Sequence, residues 1–271
     1  MIFLDKNNDI NELIARLGDR NTKARLDAAN MLARLGNALE PVTNLLNHED
    51  SSYRRIAAYI LGKMGNTIGD SDSVETLVEN LVESLGDDSP DVRKSSAQAL
   101  NRIGKPSIQP LIKALGNISK DVRASAVWSL SKMGNMVVDP LLEVLNSPVK
   151  DVRASAVWAL SKVGGPSIKG LIGLMEDPDK NTRESAIWGL AKIGAPAIEK
   201  LAEKWNVRIG SDALEGESET DSVDISDLIS GWEASIKQWI KFMIDNRAPK
   251  PEDSFSEISE NEEKPKSEDS E

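Results

Sequence analysis

Trp128, Trp158 and Trp188 stand 30 residues apart in the segments DVRASAVWSLSKMG, DVRASAVWALSKVG and NTRESAIWGLAKIG. Each is followed four residues later by a lysine: Lys132, Lys162 and Lys192. A flat apolar ring beside a cation is chemistry for recognition: the indole offers a large contact area, and the ammonium pairs with carboxylates or stacks on aromatic faces. Bond-making chemistry has little material here. The chain contains no cysteine, which excludes disulfides, thiolate catalysis and zinc-cysteine sites. Its one histidine, His48, cannot by itself complete a nucleophile, histidine and carboxylate set or a metal cluster. No Gly-rich phosphate loop of the Walker type occurs. No catalytic residue, metal ligand or cofactor is therefore assigned.

The elements that position these residues recur. Taking the arginine of the motif as a ruler, units fall at Arg25, Arg54, Arg93, Arg123, Arg153 and Arg183, at intervals of 29, 39, 30, 30 and 30. Self-similarity at this period predicts a stack of units sharing one continuous core. The closing glycine keeps the same step at Gly36, Gly65, Gly104, Gly134, Gly164 and Gly194, where a residue free to take positive φ can end a helix. The long interval comes from NTIGDSDSVETLVENLVESLG, read as an extended loop and a lengthened helix.

Between each glycine and the next arginine lies a second helical stripe: Ile108, Leu111, Ile112 and Leu115, then Val138, Leu141, Leu142 and Leu145, then Ile168, Leu171, Ile172 and Met175. Pro106, Pro166 and Pro196 follow the glycines, where they suit a first helical turn. Each unit is thus a helix pair. On a helix turning about 100° per residue, Val122, Ala126, Leu130 and Met133 share roughly one quadrant, the core side. Trp128 lies roughly 200° from its centre.

In the first three units the tryptophan step holds Asn30, Tyr59 and Gln98, so the slot accepts polar residues. The lysine row continues backwards as Arg102, Lys63 and Arg34. Two readings compete for the indoles. They either lie flat against the next helix and thicken a layer of small residues, or they stand available to a partner. The second is preferred, because a tryptophan beside a cation at an otherwise polar slot has the composition of an interface hot spot. Covering half the area of three indoles returns about 6 kcal/mol gross, comparable with the entropy lost on association. The lysine row must add to it.

The motif DVRxSAxWxLxKxG, carried by Asp121, Val122, Arg123, Ala126, Leu130 and Gly134 and their counterparts, resembles the HEAT repeat, specifically the short HEAT-like variety named after phycobilin lyases. The resemblance runs from about Asp9 to Trp205. It implies that the arginine helix lines the inner, concave surface of a solenoid, with the tryptophan slot exposed and variable. It also implies a ladder between neighbouring units built from Asp91, Arg93, Asp121, Arg123, Asp151, Arg153 and Arg183. A cap on the first turn is the expected role of each aspartate, and donation to the next carboxylate that of each arginine. His48-Glu49 is a single pair where deoxyhypusine hydroxylase, a di-iron enzyme of this fold, has several. Alkylpurine DNA glycosylases share such repeats but need a basic groove.

Charge argues against that groove. From Asn206 onward the chain holds 18 acidic and 7 basic residues, whereas Met1 to Trp205 holds 26 of each. A neutral body with an acidic tail predicts no nucleic-acid partner. No run approaches the roughly 18 apolar residues of a spanning helix, and MIFLDKNNDI lacks the marks of a leader, so no membrane partner and a cytoplasmic location are expected.

The expected fold is all-α: a right-handed α-solenoid of about six HEAT-like helix pairs over residues 1–205, an acidic flexible loop over 206–221, an amphipathic capping helix over 222–247, and a disordered acidic tail over 248–271. The expected function is a non-catalytic protein-interaction scaffold, adaptor or assembly factor. Trp128, Trp158, Trp188 and Tyr59 would take apolar groups of a protein segment, and Lys132, Lys162, Lys192 and Arg102 its acidic ones. The alternative is a phycobilin-lyase-like subunit handling a tetrapyrrole or other cofactor.

Overall fold

The turn ahead of each arginine helix shows how the repeat closes. Six positions before the arginine the chain carries Asp19, His48, Asp87, Asn117, Ser147 and Asp177, each with a side-chain atom that can accept a hydrogen bond from the nearby backbone. Each accepts from the backbone N–H two residues on, at 2.7 to 3.2 Å. Their own carbonyl oxygens accept from Nη1 of Arg25, Arg54, Arg93, Arg123, Arg153 and Arg183, at 2.7 to 2.9 Å. One arginine per unit thus staples the loop that precedes its own helix, giving loop carbonyls a charged donor.

These turns separate the helices of a computed structural model that describes residues 6–205. Among the described residues there are thirteen α-helices and no strand: α1 (Lys6–Arg16), α2 (Thr22–Leu32), α3 (Leu39–Asn44), α4 (Ser51–Met64), α5 (Ser71–Glu83), α6 (Pro90–Ile103), α7 (Ile108–Ala114), α8 (Lys120–Lys132), α9 (Val138–Val144), α10 (Lys150–Val163), α11 (Gly165–Leu174), α12 (Lys180–Ile193) and α13 (Ala195–Trp205). Short 3-10 turns lead into several odd-numbered helices, as at Lys105–Ser107 around Pro106. The even helices carry the arginine motif and pack in series, α4 on α6, α6 on α8, α8 on α10 and α10 on α12; α5, α7, α9 and α11 form a second layer. Each odd helix packs on the even helix that follows it, α7 on α8 and α11 on α12. The architecture is an α-solenoid of six helix pairs. The chain divides into two units, 1–197 and 198–271, so α13 passes from the first into the second. The loop, capping helix and tail expected over 206–271 lie outside the described residues.

The expected core quadrant is buried, with Ala126 and Leu130 at 0% exposure. Burial extends further round the helix, to Val127, Val157, Ile187 and Ser129. An even helix is covered by its own odd partner and by the even helices on both sides, leaving one open strip. Small residues let those neighbours approach: a Cβ on Gly62 of α4 would sit 2.6 Å from both Cα and Cβ of Ala99 in α6. Gly62→Ala is expected to lower stability by about 1–3 kcal/mol, because backbone atoms cannot rotate away. A fall in the urea midpoint at an unchanged helical signal in dilute buffer would show it.

Two expectations are corrected. Asp91, Asp121 and Asp151 do not cap their helices; each is the second helical residue, and the preceding Ser89, Ser119 and Val149 stand at the cap. Their charge favours the positive end of the helix from inside the first turn. Side-chain caps occur elsewhere, from Asn21, Asp50, Asp70 and Asp179. The glycine rule also holds only in part. Gly104, Gly134, Gly164 and Gly194 take φ between 63 and 78°, whereas Gly65 ends α4 at φ −57°, and Gly36 starts a 3-10 turn beyond α2, which closes at Ala33. The loop after α4 is the long one, so the chain there need not reverse within a residue.

Candidate interaction face

The strip of the even helices left open by their neighbours holds the tryptophan slot. Trp128 on α8 and Trp158 on α10 are half-buried, and Trp188 on α12 is 43% exposed. The indoles are neither wedged out of solvent nor freely projecting. Cations of the lysine row lie over two of them, Trp128 and Trp158. Lys132 Nζ lies 5.8 Å from the centroid of Trp128. Two cations share Trp158: Lys162 of its own helix at 5.3 Å and Lys192 of the next at 4.3 Å. Tyr59 on α4 is held in the same way, by Lys63 at 5.5 Å and by Arg102 of α6 at 5.3 Å. In the first unit Asn30 occupies the slot, and its side-chain oxygen accepts from Lys63 Nζ at 2.6 Å.

The two rows therefore interdigitate instead of running side by side. Tyr59, Trp128 and Trp158 meet the cation one turn further along their own helix, and Asn30, Tyr59 and Trp158 meet the cation of the following helix. This arrangement follows from the even-on-even packing, and each such contact is worth about 0.5–1 kcal/mol at an exposed site. The structure brings Trp158, Lys162 and Lys192 together, and separately Tyr59 and Arg102. Exposed Gln98 on α6 occupies the slot between Tyr59 and Trp128, so the face has two clusters.

Lys192 is the unusual cation. It is half-buried, and burial first, then the nearby Lys162 ammonium, hold its pKa below the ordinary lysine value. Lys132, Lys162 and Arg102 are exposed.

The expected ladder lies on the loops. Arg54 bridges to the next unit through Asp87, donating from Nε at 2.7 Å and from Nη2 at 2.9 Å, and it also pairs with Asp88. It takes those two residues and not Asp91, which the motif had offered. Arg93 Nη1 lies 3.9 Å from an Asp121 carboxylate oxygen, and Arg153 Nη2 donates to Asn181 Oδ1 at 3.5 Å. Arg123 and Arg183 each hold two carbonyls of their own preceding loop. Asp151 is exposed. The turn column described above went unread in the sequence, although its signal was present as acceptor residues six before every arginine. It also explains His48, whose Nδ1 accepts from the Asp50 amide at 3.0 Å and whose ring stacks on Tyr53 at 4.3 Å. Among the described residues no group of three or more His, Asp or Glu side chains could hold a metal ion, and no helix is long and apolar enough to cross a membrane.

A two-layer stack of helix pairs, stapled at each turn by an arginine, defines an α-helical repeat protein. The family model for HEAT repeats matches residues 10–84, 78–161 and 138–208, and the chain belongs to that family. The match is to HEAT repeats at large; it does not single out the phycobilin-lyase variety. No curated protein matches the chain. Among solved structures, an archaeal HEAT-like repeats protein from Thermococcus onnurineus is 16% identical, with 91% of this chain and 99% of that one covered at a TM-score of 0.37. A designed armadillo repeat protein in complex with the peptide (KR)4 is 19% identical, with 68% and 99% covered at a TM-score of 0.33. Computationally designed armadillo repeat proteins for modular peptide recognition give 17% identity, 68% and 99% coverage and a TM-score of 0.31.

Proposed function

We propose that the protein is a non-catalytic interaction scaffold, acting as an adaptor or assembly factor, which holds a segment of another protein against the open strip of its even helices. The observation that carries this reading is the cluster of Trp158, Lys162, Lys192 and Trp188 on α10 and α12. It combines an exposed indole with two cations, one of which pays a desolvation cost that a partner carboxylate would offset. Aromatic area supplies part of the affinity and charge pairing the rest, as the modest return from the indoles alone requires. Trp128 and Lys132 extend the same strip on α8, and Tyr59 with Arg102 offers a second cluster for a longer segment. The turn residues and the six motif arginines brace the loops of the stack. The tetrapyrrole-lyase alternative has no observation in its favour.

The double variant Trp158→Ala, Trp188→Ala tests the proposal. Both rings are partly solvent-exposed, so the helical signal and the urea midpoint should change little, by about 1–2 kcal/mol at most. Recovery of the partner on the immobilised variant should drop at least tenfold relative to the parent chain. Undiminished recovery on a folded variant would refute the proposal.

A further inference from the structure

The rings of the strip are unequal, and the inequality sets an order along whatever lies on it. Trp158 carries an ammonium from its own helix and a second from α12, so its π surface is already engaged. Trp188 occupies the same slot one helix on, with 43% of its surface exposed, and among the described residues no cation stacks on it. The two positions therefore offer different chemistry: a pair of cations around a covered ring, then an open apolar plate.

Resting on the proposed binding role, we infer that α10 and α12 form a two-part site for an extended acidic and apolar peptide segment, with a carboxylate between Lys162 and Lys192 and an aromatic or large aliphatic side chain on Trp188. Charge complementarity selects the occupant. Two ammoniums drawn to one ring repel each other, and a carboxylate between them satisfies both while leaving the cation and ring contacts in place. A basic segment would add a third cation to the pair. Adjacent packed helices stand about 8–10 Å apart, and an extended chain advances about 3.3 Å per residue. The acidic and apolar residues are thus about three positions apart, a spacing of the type acid-x-x-aromatic. The unequal roles also revise the expectation that all three tryptophans take apolar groups: Trp158 holds the cations in place, and Trp188 makes the apolar contact.

Fluorescence polarisation with the full chain tests this, using a labelled GEESSFSG peptide and its variants GKKSSFSG and GEESSASG at low and physiological salt. The acidic aromatic peptide should bind at least tenfold more tightly than either variant, and salt should weaken it. Lys192→Met, which keeps most of the stem and removes the charge, should weaken GEESSFSG about tenfold. Trp188→Ala should weaken it similarly and abolish the preference for phenylalanine over alanine. Trp158→Phe, which keeps a ring for the cations, should change affinity less than threefold. Equal losses in Trp158→Phe and Trp188→Ala, with Lys192→Met unaffected, would overturn the two-part assignment while leaving the strip as a binding face. Equal binding of all three peptides would overturn the assignment in the same way, and no change in any variant would sink the binding role as well.

Discussion

Arg54→Met lowers the stability of the stack by about 3–5 kcal/mol, the cost of leaving a largely buried carboxylate without its partner. The Arg54 and Asp87 side chains are 12% and 10% exposed, and the guanidinium grips Asp87 through two nitrogens. Methionine retains much of the packing of the arginine stem, so lost packing adds little to the effect. The same substitution also frees two loop carbonyls, His48 O and Glu49 O, that Nη1 holds at 2.9 Å. Removing both charges in Arg54→Met, Asp87→Leu should recover a large part of the loss, because nothing ionised is then left buried.

Acid titration provides an independent check on that pair. Burial acts to raise the pKa of Asp87, but hydrogen bonds from Arg54 and from the Ser89 amide outweigh it and hold the carboxyl below its ordinary value of 3.8. A carboxyl depressed in the folded state contributes its full stability above the unfolded pKa, and that contribution is lost as pH falls through the folded value. Stability of the parent chain should therefore fall below about pH 4, and this part of the fall should be absent in Asp87→Asn. An Arg54→Met variant as stable as the parent at pH 7 would remove the inter-unit clamp from the account.

Lys192→Glu should separate binding from stability. In the folded chain Lys192 is half-buried and faces the like charge of Lys162. Glutamate there turns the repulsion into attraction while losing one contact with Trp158, changes of about 0.5–1 kcal/mol that oppose each other. Thermal stability should stay within about 2–4 °C of the parent. Binding of an acidic segment should weaken by about 2–3 kcal/mol, because a charge-assisted hydrogen bond is exchanged for repulsion. Retained affinity for the acidic peptide in this variant would mean that Lys192 faces no carboxylate in the complex.

The repeat was legible because a stacked array writes its period into the chain. Six arginines at near-constant spacing gave the number of units, and the stripe Ile168, Leu171, Ile172 and Met175 placed the odd helices. What could not be read was anything set by the offset between neighbouring even helices. The period alone does not say that Lys192 will reach Trp158, or that Val127 will be buried while Trp128 stays half-buried. The aspartate of the DVR motif misled for a different reason: it resembles a cap one step before a helix, but the turn closed by Asn117 and Arg123 starts α8 two residues earlier than the cap reading requires. The place of the lone histidine in a column of turn residues became visible only beside Asp87, Asn117 and Asp177.

The most direct test of the binding face is an indole titration by nuclear magnetic resonance. Tryptophan Nε1–H signals of the full chain, assigned by single substitutions, are followed as GEESSFSG is added. Saturable shifts at Trp188 and Trp158, with Trp205, Trp232 and Trp239 unmoved, are the predicted result. Shifts confined to those three C-terminal tryptophans, or no saturable shift at all, would contradict it.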